Sequence, residues 1–200
     1  SSTSGSPTPV PSAVDTAEGT GVGLPLVEDS GENSIAVVPR ANHRITVDDV
    51  WAAESAIVAA RVLLVQLELP AEVVTAACRI ARDAGVLVVV NPAPAVLGLP
   101  ELRGIADVIV PNEQEAAVLW SAGVGSPAAV AGARAATTGA DVVLTLGSRG
   151  CVVLEDGLLS TMPAHPVAVV DTVGAGDAFC GTLGARLASG ASLAEAAVHA

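Results

Sequence analysis

The stretch Val167-Ala168-Val169-Val170-Asp171-Thr172-Val173-Gly174-Ala175-Gly176-Asp177-Ala178-Phe179 sets an apolar run against a turn with two glycines. Beyond the turn, Phe179, Leu183 and Leu187 recur at i, i+4, i+8, the spacing of one helix face. The stretch therefore reads as strand, tight turn, helix. Such a turn aims the free N–H groups of a helix's first turn, with the positive end of its dipole, at one point in space, which suits a phosphate or a developing oxyanion. Asp177 puts a carboxylate into that anion site. On spacing alone two readings stay open: a carboxylate with chemical work to do, or an acidic residue stabilising a helix N-terminus whose turn has glycines for close packing.

Upstream the same alternation repeats. Val62 to Leu67 is a near-continuous apolar run of strand length, followed by Pro70, which opens a helix through Ala84 that stops at Gly85. Val86 to Val90, Ala106 to Val110 and Val142 to Leu146 are three more runs, and a helix through Leu119 follows the second of these. Apolar strands alternating with amphipathic helices indicate an α/β chain with a parallel sheet covered on both faces. Nearer the start, Val22 to Val27 and Ser34 to Val38 flank a polar turn and predict a β-hairpin. Thr46 and Asp49 form an acidic variant of the capping box, opening a helix that runs to about Ala60. Residues Ser1 to Pro11 are Ser, Thr, Pro and Gly apart from Val10, too poor in apolar surface to offset ordering entropy, and residues 1–19 are expected to be a disordered or foreign leader.

In parallel sheets ligands bind beyond the carboxyl ends of the strands. The residues expected there are Glu68, Asn91, Asn112 with Glu113 and Glu115, Thr145 with Gly147 to Gly150, and Asp171 to Asp177. A crevice lined this way is acidic and suits metal-bound phosphates or a polyhydroxylated neutral ligand. Asn112-x-x-Glu115 places an amide and a carboxylate one turn apart at a helix start, which serves either a ligand or simple capping. Glu68 is either a carboxylate held beside a buried strand or a solvated loop residue.

Composition narrows the function classes. The net charge is −12 and all nine basic residues are Arg, which argues against nucleic acid or an anionic membrane surface as partner. Without Lys there is no P-loop, so a phosphate site must rely on backbone N–H groups, Arg or metal. The dinucleotide fingerprint fails because Phe179 stands where its third glycine belongs, and the Gly19, Gly21, Gly23 cluster is misspaced. His43, His165 and His199 belong to no H-E-x-x-H or G-x-S-x-G pattern. Cys78, Cys151 and Cys180 read as small buried hydrophobes in a reducing compartment. No apolar run approaches the ~18 residues of a membrane span, and cytoplasmic location is the expectation.

Asp171-Thr172-x-Gly174-Ala175-Gly176-Asp177-x-Phe179 resembles the C-terminal signature of the ribokinase and phosphofructokinase-B superfamily of sugar kinases. Gly31 to Ile35, Gln66-Leu67-Glu68, Asn91 to Ala95, Pro111-Asn112-Glu113-x-Glu115 and Thr145 to Gly150 resemble its ribokinase branch, in order, over roughly Thr20 to Ala200. The resemblance implies a three-layer α-β-α fold with a mainly parallel central sheet and a small β-hairpin lid. It implies phosphorylation of D-ribose at O5 by ATP. In that scheme Asp177 is the general base that also contacts the sugar, Gly174, Ala175 and Gly176 are the anion hole, and Glu68 is a ribose ligand. Asn112, Thr145, Leu146, Gly147, Ser148, Arg149, Gly150 and Gly176 face the nucleotide. Glu115 organises Mg²⁺ through water, and Asp171 with the carbonyl of Val173 contributes to a K⁺ site. Pairing of subunits through the lid is a further implication.

The match also has gaps. The family's first strand, with its sugar-binding Asp and Gly-Gly-x-Gly-x-Asn clamp, has no counterpart in residues 1–19, and Ala200 falls within a helix. The chain starts with Ser rather than Met, and it is expected to be part of a family member truncated at both ends, with residues 20–200 a partial kinase domain. Arg40 stands where Gly is usual before the Ala41-Asn42 pair. Two alternatives remain open: a kinase for another sugar or a nucleoside, and a silent remnant that only binds nucleotide.

Overall fold

The structure, a computed structural model, describes residues 17–27, 33–95, 103–120, 130, 139–168 and 171–200. Strands β1 (Val22–Val27) and β2 (Asn33–Val38) pair antiparallel, Val22 opposite Val38 and Val27 opposite Asn33. This is the hairpin that the two apolar runs predict, although its connection, with Gly31 and Glu32, lies outside the described residues.

The main sheet has six strands in chain order: β3 (Val62–Val65), β4 (Leu87–Val90), β5 (Val108–Ile109), β6 (Asp141–Thr145), β7 (Cys151–Glu155) and β8 (Leu158–Met162). Strands β3 to β6 run parallel. They coincide with the four apolar runs: β3, β4 and β5 are shorter than theirs, and β6 equals its run in length but starts one residue earlier, at Asp141. Strands β7 and β8 return antiparallel through Asp156 and Gly157, both at positive φ, which is the turn chemistry of a two-residue hairpin. The mixed sheet fits a mainly parallel reading, and the β7–β8 hairpin is an addition to it.

Helices cover both faces because the strands alternate their side chains. On one face Val88, Val90 and Ile109 pack with Val74, Cys78 and Ala81 of α3 (Ala71–Asp83). Farther along this side Val142, Leu144 and Val152 meet Ala116 of α4 (Glu113–Trp120). On the other face Val89, Val108, Val143 and Val153 pack with Leu183 of α5 (Ala175–Ala188) and with Leu193, Ala196 and Ala197 of α6 (Leu193–Val198). Each fully buried Val or Leu contributes roughly 1.5–3 kcal/mol. Phe179 and Leu187 sit partly buried beside Leu183, so the i, i+4, i+8 stripe is the inner face of α5. Gly184 brings α5 close to the sheet: a Cβ there would lie 2.8 Å from Leu64 Cδ1 on β3.

Two local expectations change. The single helix from Thr46 is two, α1 (Val47–Ala52) and α2 (Glu54–Ala59), broken at Ala53 with φ −95° and ψ 3°. Val50 packs against Val73 and Ile80 of α3, and Ile57 reaches both that cluster and the one under the sheet, so the break lets two short segments follow one helix surface. The capping box of Thr46 and Asp49 is present as expected. The strand expected before the glycine turn is not formed at Val167 and Ala168, where Val167 is 75% exposed and has no sheet face to bury against. Val169 and Val170 lie outside the described residues. Among the described residues no helix is long and apolar enough to cross a membrane.

Candidate active site

The parallel strands deliver one polar residue each to the same edge of the sheet. Gln66 follows β3, Asn91 follows β4, Asn112 follows β5, and Thr145 ends β6. Thr145 N–H donates to Pro111 O at 2.9 Å, which carries the β5–β6 pairing on to Asn112. Helix α5 crosses behind β3 and brings its N-terminus to this edge. Gln66, Asn91, Asn112, Glu115, Thr145, Gly174, Gly176, Asp177 and Cys180 line one cleft of about 170 Å³.

The glycine turn has the conformation that its sequence demands. Gly174 caps α5 at φ 76° in the left-handed region, where an L side chain is strained. The N–H of Ala175 donates to Thr172 O at 3.2 Å, and that of Ala178 to Gly174 O at 2.9 Å. The amides of Gly176 and Asp177 have no partner among the described residues and point out from the first turn of a fourteen-residue helix. Of the three residues expected to form the anion hole, Ala175 thus spends its N–H inside the turn. Nothing stands within 4 Å of a Cβ built on Gly176, so the turn is open to an incoming group.

Asp177 is exposed, and its Oδ1 accepts from Gln66 Nε2 at 3.0 Å. Glu115 is half-buried, and burial pushes its carboxyl above the usual range, against the opposing effect of a hydrogen bond from the Asn112 amide. Oε2 of Glu115 takes that bond at 2.8 Å. Burial, with the carboxylates of Asp177 and Glu115 nearby, holds the Cys180 thiol up to about 11. The cleft floor is therefore acidic, as the strand-end residues predict.

The remaining expected residues do not line the cleft. Glu68 is exposed on a bend after β3, and the solvated-loop reading describes its surroundings. Leu146 is buried under α4, so only its backbone faces the loop. Gly147, Ser148 and Arg149 form a 3₁₀ turn, and Arg149 is paired with Glu113 of α4. Gly150 is required by the sheet itself, since a Cβ there would lie 1.9 Å from Met162 O. Asp171 Oδ1 accepts from the Val173 amide at 2.9 Å, a local turn that occupies one of its two carboxylate oxygens. Sequence reasoning gives no individual role to Gln66 and Asn91, although both lie in motifs that it singles out.

Over residues 11–200 the sequence matches the family described as pfkB family carbohydrate kinase. The chain belongs to this family. A bifunctional ribokinase/ribose-5-phosphate isomerase A from Fructilactobacillus sanfranciscensis is 38% identical over 175 residues, which are 86% of this chain and 32% of that protein. A ribokinase from Schizosaccharomyces pombe is 35% identical over 184 residues, 88% of this chain and 58% of the relative. The solved structure of Arabidopsis thaliana ribokinase complexed with ribose and ATP superposes with a TM-score of 0.77 at 27% identity, covering 90% of this chain and 60% of that one. The pfkB chain spans about a third to three fifths of the curated relatives it matches. The likeness places the cleft in a ribokinase-like fold, as the resemblance read from the motifs implies.

Proposed function

We propose that the chain carries the phosphoryl-transfer half of a ribokinase, moving the γ-phosphate of ATP to O5 of D-ribose. One observation carries the reading: Asp177 sits on the same helix turn as the unpartnered amides of Gly176 and Asp177, in the cleft where four strand ends converge. The sugar hydroxyl oxygen forms a bond to the γ-phosphorus while the bond from that phosphorus to the bridging oxygen breaks. ADP leaves, and the hydroxyl proton passes to the Asp177 carboxylate. Phosphoryl transfer needs positioning and charge stabilisation more than covalent chemistry, and helix-end amides supply the latter where charge develops.

The residues fit a divalent cation as oxygen donors. Glu115 keeps Oε1 outside its bond with Asn112 and, with Asp177, makes the cleft negative. Mg²⁺ bound there, through water on Glu115, would neutralise phosphate charge. Asp171 and the Val173 carbonyl are the oxygen donors proposed for K⁺, and Oδ2 of Asp171 lies outside its bond with the Val173 amide. Thr145 and Asn112 stand beside Glu115 where the nucleotide is proposed to lie, with Gly147 to Gly150 as its outer loop. Glu68 is proposed as a ribose contact, the protein as cytoplasmic, and the β1–β2 hairpin as the lid through which two copies pair.

The test is ribose-dependent ADP release with Mg²⁺ and K⁺, run beside Asp177→Asn and a panel of other pentoses and nucleosides. Release that requires Asp177 supports the reading. Heat protection by ATP without any release would instead identify a nucleotide-binding remnant, and faster turnover of another acceptor would reassign the substrate.

A further inference from the structure

Gln66 and Asn91 line the cleft, and their hydrogen bonds have a direction fixed by a backbone carbonyl. Val110 O can only accept, so the Asn91 atom 2.7 Å from it is the donor Nδ2. Asn91 therefore turns Oδ1 towards Gln66, which must present Nε2 at 3.3 Å. That nitrogen carries two protons, and the second goes to Asp177 Oδ1 at 3.0 Å. The series needs an acceptor at its end, and a carboxylate oxygen supplies one. Asp177 Oδ2 has no partner among the described residues.

We infer that Gln66, fixed by Asn91, is a positioning residue that holds Asp177 by one oxygen and leaves the other for the acceptor hydroxyl. The inference rests on the reading of Asp177 as the general base. An exposed aspartate on the first turn of a helix has several staggered rotamers open to it. A tether from the neighbouring strand end selects one. Asn91 is partly buried and bonded to the carbonyl of Val110, the residue after β5, so the tether is referred to the sheet rather than to a mobile side chain. A displacement of about 1 Å in a reacting group costs about a hundredfold in rate, which is the scale on which such a tether matters.

The test uses the 200-residue chain with Gln66→Leu, which removes both donors, and Gln66→Glu, which sets an oxygen against both acceptors. For both variants kcat should fall, by about a hundredfold in Gln66→Glu, while the KM values for ribose and ATP and the melting temperature stay at the parent values. Unchanged kcat in both, or a rise in KM with kcat preserved, would overturn the positioning role; the latter would make Gln66 a substrate contact. Asp177→Asn separates the two levels: if it stays active the base assignment fails, whereas an inactive Asp177→Asn beside a fully active Gln66→Leu defeats only the inference. A second measurement does not need turnover. The side-chain amide resonances of Gln66 should move in both Asp177→Ala and Asn91→Ala, and resonances unmoved by either would show that the series does not exist.

Discussion

Asn112 and Glu115 hold each other reciprocally: the Asn112 amide donates to Glu115 Oε2 at 2.8 Å, and the Glu115 amide donates to Asn112 Oδ1 at 2.8 Å. The capping and ligand readings of this pair are thus compatible, since the cap fixes one carboxylate oxygen in the cleft. Burial raises the pKa of Glu115 above 4.5. The folded chain therefore keeps a proton there that the unfolded chain has lost, and stability falls as pH rises through the window that opens at 4.5. Glu115→Gln, which retains the acceptor, should melt higher than the parent at pH 7, with the difference closing towards about pH 4. On the proposed Mg²⁺ role of Glu115, the same variant should need a higher Mg²⁺ concentration for half-maximal ADP release. Melting curves at the two pH values check the first part, and a difference that does not vary with pH would contradict it.

Arg40 has φ 45°, in the left-handed region, at the position where the sequence resemblance expects glycine. An L residue there costs about 1–2 kcal/mol, of which glycine returns part to unfolded-chain entropy. Arg40→Gly should raise stability by up to about 1 kcal/mol, read as a denaturant midpoint shift. A lower midpoint would contradict the assignment of strain.

Gly150 meets a backbone atom rather than a movable side chain, with φ 88° and Met162 O 1.9 Å from a built Cβ. Gly150→Ala should therefore destabilise by more than about 3 kcal/mol, well beyond an ordinary surface change. Gly147 also has positive φ but open space around it, so Gly147→Ala should cost only about 1–2 kcal/mol. Equal effects at the two positions would be inconsistent with the packing described.

Cys180 lines the cleft as a thiol held up to about 11, by burial first and then by the charges of Asp177 and Glu115. The thiolate is the nucleophile, so alkylation by iodoacetamide should be slow at pH 8 and still climbing at pH 9.5 or so. Peptide mapping after timed alkylation reads the rate. A plateau below that pH would contradict the stated environment.

Much of the fold is legible because buried parallel strands must be apolar throughout: Val62 to Val65, Leu87 to Val90 and Asp141 to Thr145 all fall inside or beside the expected runs. The β7–β8 hairpin also has a local signal, Asp156-Gly157 after the apolar Cys151 to Leu154, which breaks the βα alternation of the preceding strands. The break at Ala53 has no such signal, because tertiary packing against α3 decides it. In the site, local turns reveal Gly174 and the Asn112–Glu115 cap. The Gln66–Asp177 contact spans 111 positions, and no periodicity within one segment reports which strand end a distant helix will meet.

The proposed role of Asp177 as the base of phosphoryl transfer in this cleft is open to a direct test. The most direct measurement is ribose-dependent ADP release from ATP by the 200-residue chain in Mg²⁺ and K⁺, parent against Asp177→Asn. Loss of one general base is worth about 10²–10⁴-fold. Release by the parent and a fall of that size in the variant are expected; equal release by the two would contradict a base role for Asp177.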